Sequence, residues 1–204
     1  GHTISNMYIY DLPAGHEDDS TTTRTMHYTG LFGYVESGFE IENVNIENVT
    51  IEVDTQGKYI RSFQGALYGL GTAFVNNCHT KTVALTCNSQ ICVGGLLAEV
   101  GSNSVIVNSS AVDVGISHTN NIDGGGGFMG CTSDSTAIIA NCYAYDVVLD
   151  VPEYAGGFMW GGGATMYNTY SSGKYATGGN TGGYSGLQIK LSAWDWGGTA
   201  MNSY

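Results

Sequence analysis

The chain has 204 residues, enough for one or two domains with a buried core, and 31 of them are glycine against 2 prolines. No collagen period runs through those glycines, and 42% hydrophobic residues is too many for a disordered chain, so they serve turns in a folded protein. Lysine and arginine total 6 against 18 acids, a net charge of −12 that argues against nucleic-acid or anionic-membrane binding; no apolar run approaches the ~20 residues of a membrane helix.

Taken in order, the chain repeats one unit. Its clearest copy, residues 126–149, reads GGFMGCTSDSTAIIANCYAYDVVL. With Asn141 as origin, equivalent asparagines are expected at Asn6, Asn43, Asn77, Asn108, Asn168 and Asn202, separated by 37, 34, 31, 33, 27 and 34 residues. Two positions before each stands an apolar residue (Ile4, Ile41, Val75, Ile106, Ile139, Met166, Ala200), and the position after is small or apolar. Six after come Leu12, Val49, Val83, Val114 and Val147, with Lys174 as the single break. Eight after, in the middle units, come Ile51, Leu85, Ile116 and Leu149. This is period-two alternation that changes phase at a bend, so it predicts strands.

One apolar face per unit cannot be buried by the unit alone, but stacked units close a continuous core. The expectation is an all-β fold: a right-handed parallel β-helix, or β-solenoid, of about seven rungs with variable connectors on one side. We expect a single domain over 1–204, cut from something longer because repeat-like sequence begins at once after Gly1-His2, with an irregular insertion at 173–198. The recurring asparagine predicts a ladder, each side-chain amide bonding the next and satisfying groups otherwise buried unpaired. The glycines predict sharp turns or φ > 0, although Ala66 and Ala193 at the same place favour smallness over left-handed backbone.

Residues Gly126-Gly127-Phe128-Met129-Gly130, followed by Ile138-Ile139-Ala140-Asn141-Cys142-Tyr143-Ala144, resemble the GLUG repeat of bacterial surface and secreted proteins. Gly157-Phe158-Met159 with Asn168-Thr169-Tyr170, and Gly95-Leu96-Leu97 with Asn108-Ser109-Ser110, are similar. The resemblance spans most of the chain through six or seven units. It implies a β-solenoid within a large extracellular protein, as an adhesin-like stalk or an accessory region beside a catalytic domain.

The five cysteines are odd in number and fit no zinc spacing. Cys87 and Cys92 are close enough in sequence to pair, and buried thiols are the expected state of most of the five.

Candidate site residues fall into two groups. Connectors collect on one side of a solenoid, often the binding side. Here they run 13–29, 54–64, 86–93, 117–125, 150–155 and 173–182, and supply His16, Arg24, Arg61 and His118; solvated loops are the competing reading. Glu17, Asp18 and Asp19 suit a hard cation such as calcium, or simply an acidic loop; no other cofactor is expected. The second group is aromatic. Tyr8, Tyr143, Tyr170 and Tyr204 lie two after their asparagines, Tyr10 and Tyr145 four after, on the face opposite the core. Such a row suits stacking on sugar rings or docking a partner, and equally suits cross-strand stabilisation.

Asp11, Asp113 and Asp146 recur five after their asparagines, the kind of carboxylate cluster that glycosidase β-helices use. No lysine or arginine recurs beside them to tune a pKa or hold a uronate, so with the resemblance the expected function is a non-catalytic extracellular, bacterial cell-surface spacer or adhesin-like module binding a glycan or surface protein. The alternative is a carbohydrate-active enzyme domain using connector or rung carboxylates. Expected partners also include neighbouring domains of the parent protein and, through uncapped ends, a second copy end to end.

Overall fold

A computed structural model describes residues 1–11, 26–54, 61–88, 92–118, 124–133, 135–151, 154–175, 192–195 and 199–201. Among these there are 22 strands and no helix. The chain opens with β1 (His2–Ser5) and β2 (Tyr8–Asp11), then winds through five coils. The first holds β3 (Met26–Thr29), β4 (Phe32–Glu42) and β5 (Val44–Val53); the second holds β6 (Arg61–Gly65), β7 (Tyr68–Asn76) and β8 (His79–Cys87). The third holds β9 (Val93–Gly94), β10 (Leu97–Val100), β11 (Val105–Val107) and β12 (Ser110–His118). The fourth holds β13 (Gly124–Gly126), β14 (Met129–Thr132), β15 (Ile138–Ala140) and β16 (Tyr143–Asp150). The fifth holds β17 (Tyr154–Gly156), β18 (Met159–Gly162), β19 (Thr165–Tyr167) and β20 (Tyr170–Tyr175); β21 (Ser192–Asp195) and β22 (Thr199–Met201) follow.

Every strand pairing is parallel, and the pairings build three sheets. Sheet I stacks β1 and β2, β5, β8, β12, β16 and β20. Sheet II stacks β4, β7, β10 with β11, β14 with β15, β18 with β19, and β21 with β22. Sheet III stacks β3, β6, β9, β13 and β17. The protein is a parallel β-solenoid. Among the described residues there are five coils, with β1 and β2 before them and β21 and β22 after, against the seven rungs that counting asparagines suggested; Asn202 lies outside the described residues. Strand enters the 173–198 stretch from both sides, through β20 and β21; 176–191 and 196–198 lie outside the described residues.

Two corners organise each coil. Asn43, Asn77, Asn108, Asn141 and Asn168 turn sheet II into sheet I with φ between 49° and 59°. Left-handed backbone strains most L-residues, and asparagine tolerates it best after glycine. Five residues on, Asn48, Thr82, Asp113 and Asp146 are also left-handed, at φ 55–56°. This second bend produces the phase change read from the sequence, so that Ile46 and Val49, Thr80 and Val83, Ala111 and Val114, Ala144 and Val147 all face inward and are buried.

The core is a set of columns running along the axis. Ile41, Val75, Ile106, Ile139 and Met166 form one, and Ile51, Leu85, Ile116 and Leu149 another; all are buried. Phe128 and Phe158 stack at 4.7 Å between ring centroids. Glycine is required in sheet III, where a β carbon on Gly94 or Gly126 would collide with the carbonyl of Leu97 or Met129. Close approach is the reason there, since neither residue has positive φ.

Two expectations from the sequence are corrected. Asn6 does not stack on Asn43: Ile4 pairs with Ile46, and Asn48 Nδ2 donates to Asn6 Oδ1 at 3.3 Å, so Asn6 belongs to the second corner. Lys174 does not interrupt the core. A register shift after Ala144 sets Gly173 beside Val147 and Lys174 beside Val148, on the exposed face.

A smaller apolar cluster lies apart from the main core, where sheets II and III press directly on each other. It contains Phe63, Cys92, Ala98, Cys131 and Trp160, with Tyr28 against it. Cys92 is bonded to Cys131, 39 residues on, instead of to nearby Cys87. Cys78, Cys87 and Cys142 are buried thiols.

Candidate functional site: the asparagine corner and its flanks

The asparagine ladder forms as expected but on the surface, since all five side chains are exposed. Asn77 Nδ2 donates to Asn43 Oδ1 at 2.7 Å, Asn141 to Asn108 at 3.2 Å, and Asn168 to Asn141 at 3.1 Å. One step is rerouted. His79 Nε2 lies 2.9 Å from Asn77 Oδ1, and Asn108 Nδ2 donates to Asn76 Oδ1 at 3.0 Å instead. The groups needing burial are one residue further on, where the Ser109 hydroxyl donates to Val107 O at 2.7 Å and the Cys142 thiol to Ala140 O at 3.2 Å. Burial pushes the Cys142 thiol up to about 12 and raises that of Cys78.

Beside the ladder, sheet I presents the tyrosines. Tyr143 and Tyr170 pair in register, their half-buried rings stacked at 5.1 Å and 4°. Tyr145 stands on the same strand, 53% exposed, and exposed Val148 lies beyond it. Tyr204 lies outside the described residues. Tyr8 and Tyr10 are not part of this column. They pair with Thr50 and Glu52 at the opposite end of the stack, and Tyr8 Oη donates to Glu52 Oε2 at 3.4 Å. Desolvation, then the Glu52 charge, raises the Tyr8 phenol.

The connector residues fall elsewhere. The strands flanking the connectors between β2 and β17 end in sheet I and resume in sheet III. Arg61 opens β6 and His118 closes β12, both at that corner and away from the tyrosines. His16, Glu17, Asp18, Asp19 and Arg24 lie outside the described residues. Asp11 leaves the aspartate column, since it pairs with Val53. Asp113 and Asp146 remain in it, where left-handed backbone explains the recurrence of short polar side chains; Thr82 Oγ1 donates to Asp113 Oδ2 at 3.0 Å. One further set of donors, the Glu99 carboxylate with Cys92 and Cys131, lies within 4.8 Å of one another, but the sulfurs are joined to each other and metal ligation needs thiolate.

Sheet II carries an apolar outer face that the repeat alignment overlooked. Phe74, Val105 and Ile138 form one outward column, and Val107, Ala140, Tyr167 and Met201 another. Phe74, Ile138, Tyr167 and Met201 are exposed. The signal was present in the unbroken apolar runs Val105-Ile106-Val107 and Ile138-Ile139-Ala140, which mark strands apolar on both faces.

The last coils therefore present Ile138, Ala140 and Tyr167 on one side of the asparagine corner and Tyr143, Tyr145 and Tyr170 on the other. The Asn141 amide uses one N–H and one oxygen lone pair in the ladder, which leaves one of each for an outside group. Flat rings beside fixed amides suit a ligand that is both apolar-faced and rich in hydroxyls.

No protein-family model, no curated protein sequence and no solved structure matches the chain.

Proposed function

We propose that the protein is a non-catalytic β-solenoid module of the GLUG-repeat kind, exposed at a bacterial cell surface, that spaces and binds. Its ligand is a glycan or a partner protein, taken on the aromatic-flanked asparagine corner of the last coils. The observation that carries this reading is the stacked Tyr143–Tyr170 pair beside the exposed Asn141–Asn168 amides. A coil held by parallel pairing along its whole length suits a spacer, because each level is fixed by its neighbours.

The cysteines support the compartment. The Cys92–Cys131 bond belongs to an oxidising environment. The remaining thiols are buried, and raised pKa values keep Cys78 and Cys142 in the unreactive form, so they are compatible with the same environment.

The test is a glycan array and a surface-protein pull-down, run with wild type and with Tyr143→Ala/Tyr170→Ala. Truncating aromatic anchors costs about 2 kcal/mol or more, so affinity should fall at least roughly thirtyfold. Identical profiles for the two proteins would remove the tyrosines from binding.

A further inference from the structure

Sheets II and III come closest around the small apolar cluster. A β carbon on Gly130 would lie 2.8 Å from Cys92 Cβ, so glycine there lets Cys92, just before β9, reach Cys131 on β14. Glu99 on β10 is in register with Cys131, which sets its carboxylate beside the two sulfurs. A carboxylate oxygen and both sulfurs lie within 4.8 Å of one another. Phe63, Ala98 and Trp160 wall the group, with Tyr28 packed against them, while half-buried Glu99 leaves one edge towards solvent. The two cysteines are 39 residues apart, which is why no zinc spacing shows in the sequence.

We propose that this clasp is the oxidised form of a metal site: once a dithiol reduces the bond, the Cys92 and Cys131 thiolates and the Glu99 carboxylate bind one divalent cation of the zinc class. The dithiol supplies two electrons and two protons; the S–S bond breaks, two cysteine thiols form, and the dithiol closes to its own disulfide. Each thiol then gives its proton to solvent as the cation binds. Three protein ligands with a water in the fourth position are an ordinary complement for zinc, and the solvent edge at Glu99 admits that water. The bond stays closed in an oxidising environment and opens only where a dithiol reductant reaches the chain.

Geometry and chemistry both fit this occupant. Donor atoms around one zinc ion lie about 3.5–4 Å apart, so the group needs only to part its sulfurs. A Cα separation of 5.9 Å between Cys92 and Cys131 permits that without moving either strand far. Two soft thiolates select zinc, cobalt or cadmium over calcium and magnesium. The apolar walls strengthen the attraction between the cation and its anionic ligands. Among the described residues no other three histidine, cysteine or acidic side chains come together in this way, and Cys78, Cys87 and Cys142 are buried in the main core. The ion joins the same two sheets that the disulfide joins, so the cluster stays closed in either redox state.

The test reduces the whole chain with excess dithiol, removes the dithiol without oxygen, and titrates with cobalt(II) and then zinc. One cobalt per chain should bind with sulfur-to-cobalt charge-transfer absorption, zinc should displace it, and zinc should raise the thermal midpoint of the reduced chain. Oxidised wild type should show none of this, nor should reduced Cys92→Ser/Cys131→Ser, which keeps Cys78, Cys87 and Cys142. Glu99→Gln should keep the charge-transfer band but bind zinc roughly tenfold more weakly or worse. Absorption that is absent from reduced wild type, or equal in it and in the serine variant, overturns the proposal. So does an unchanged zinc affinity in Glu99→Gln, or a reduced chain that loses its strand signal in circular dichroism and does not regain it with zinc. The cluster lies between sheets II and III, away from the tyrosines of sheet I, so failure of one reading leaves the other standing.

Discussion

Thr82 is the residue least suited to its place. It holds φ 56° in a column otherwise filled, among the described residues, by Asn6, Asn48, Asp113 and Asp146, and a β-branched side chain strains there more than asparagine does. Thr82→Asn keeps a donor for Asp113 and should stabilise the fold by about 1 kcal/mol, seen as a higher urea midpoint at unchanged slope. Tyr68 is the second misfit: its hydroxyl is buried among apolar side chains without a hydrogen-bond partner, and burial raises its pKa. Tyr68→Phe should gain about 1 kcal/mol by the same measurement, since an unsatisfied hydroxyl costs its desolvation. The first misfit could be suspected from the sequence once the second corner is known. The second could not, because nothing local to Tyr68 says that its ring lies in the core without a partner.

The asparagine corner is the element on which the coils depend. Asn141→Ala removes two ladder bonds and places alanine in left-handed backbone, so about 2 kcal/mol should be lost; Asn141→Gly, which relieves the backbone, should lose about half of that. The same corner carries a pH dependence. His79 bridges Asn77 Oδ1 and Ser110 Oγ, and desolvation holds its imidazole below the ordinary value. The folded chain then binds fewer protons than the unfolded one between that lowered pKa and about 6.5. Stability from neutral His79 is full above the unfolded value and is lost as pH falls through the folded one. Urea midpoints from about pH 7.5 down to 5 should therefore decline more steeply in wild type than in His79→Asn. The repeat pattern marked five of these corners correctly and misplaced Asn6. Asn6-Met7-Tyr8-Ile9-Tyr10 matches the run from Asn141 in composition, and only the pairing of Ile4 with Ile46 shows that it belongs one corner later.

At the scale of the molecule, the disulfide clasps sheet III to sheet II across 39 residues. Loop closure of that length is worth roughly 4 kcal/mol on chain-entropy grounds, so Cys92→Ser/Cys131→Ser should cost about 2–4 kcal/mol by calorimetry or urea titration. The main coil, whose core columns lie outside that cluster, should keep its strand signal in circular dichroism. Sheet III itself was hidden in the connectors. Its strands are short and glycine-bearing, as in Val93–Gly94 and Gly124–Gly126, so they read as loop by composition and become strands only because neighbouring coils pair with them.

By itself the sequence determined the parallel stacking, the inward columns and the asparagine ladder, because each rests on spacing that a repeated unit writes several times over. Tertiary structure alone decided how many coils there are, which corner Asn6 occupies, that Cys92 meets Cys131, and that Tyr8 and Tyr143 stand at opposite ends. It also decided that sheet II is apolar outside as well as in. These depend on register between strands some thirty residues apart, and a shift of a few residues is silent in composition while it moves a side chain to another column or another face.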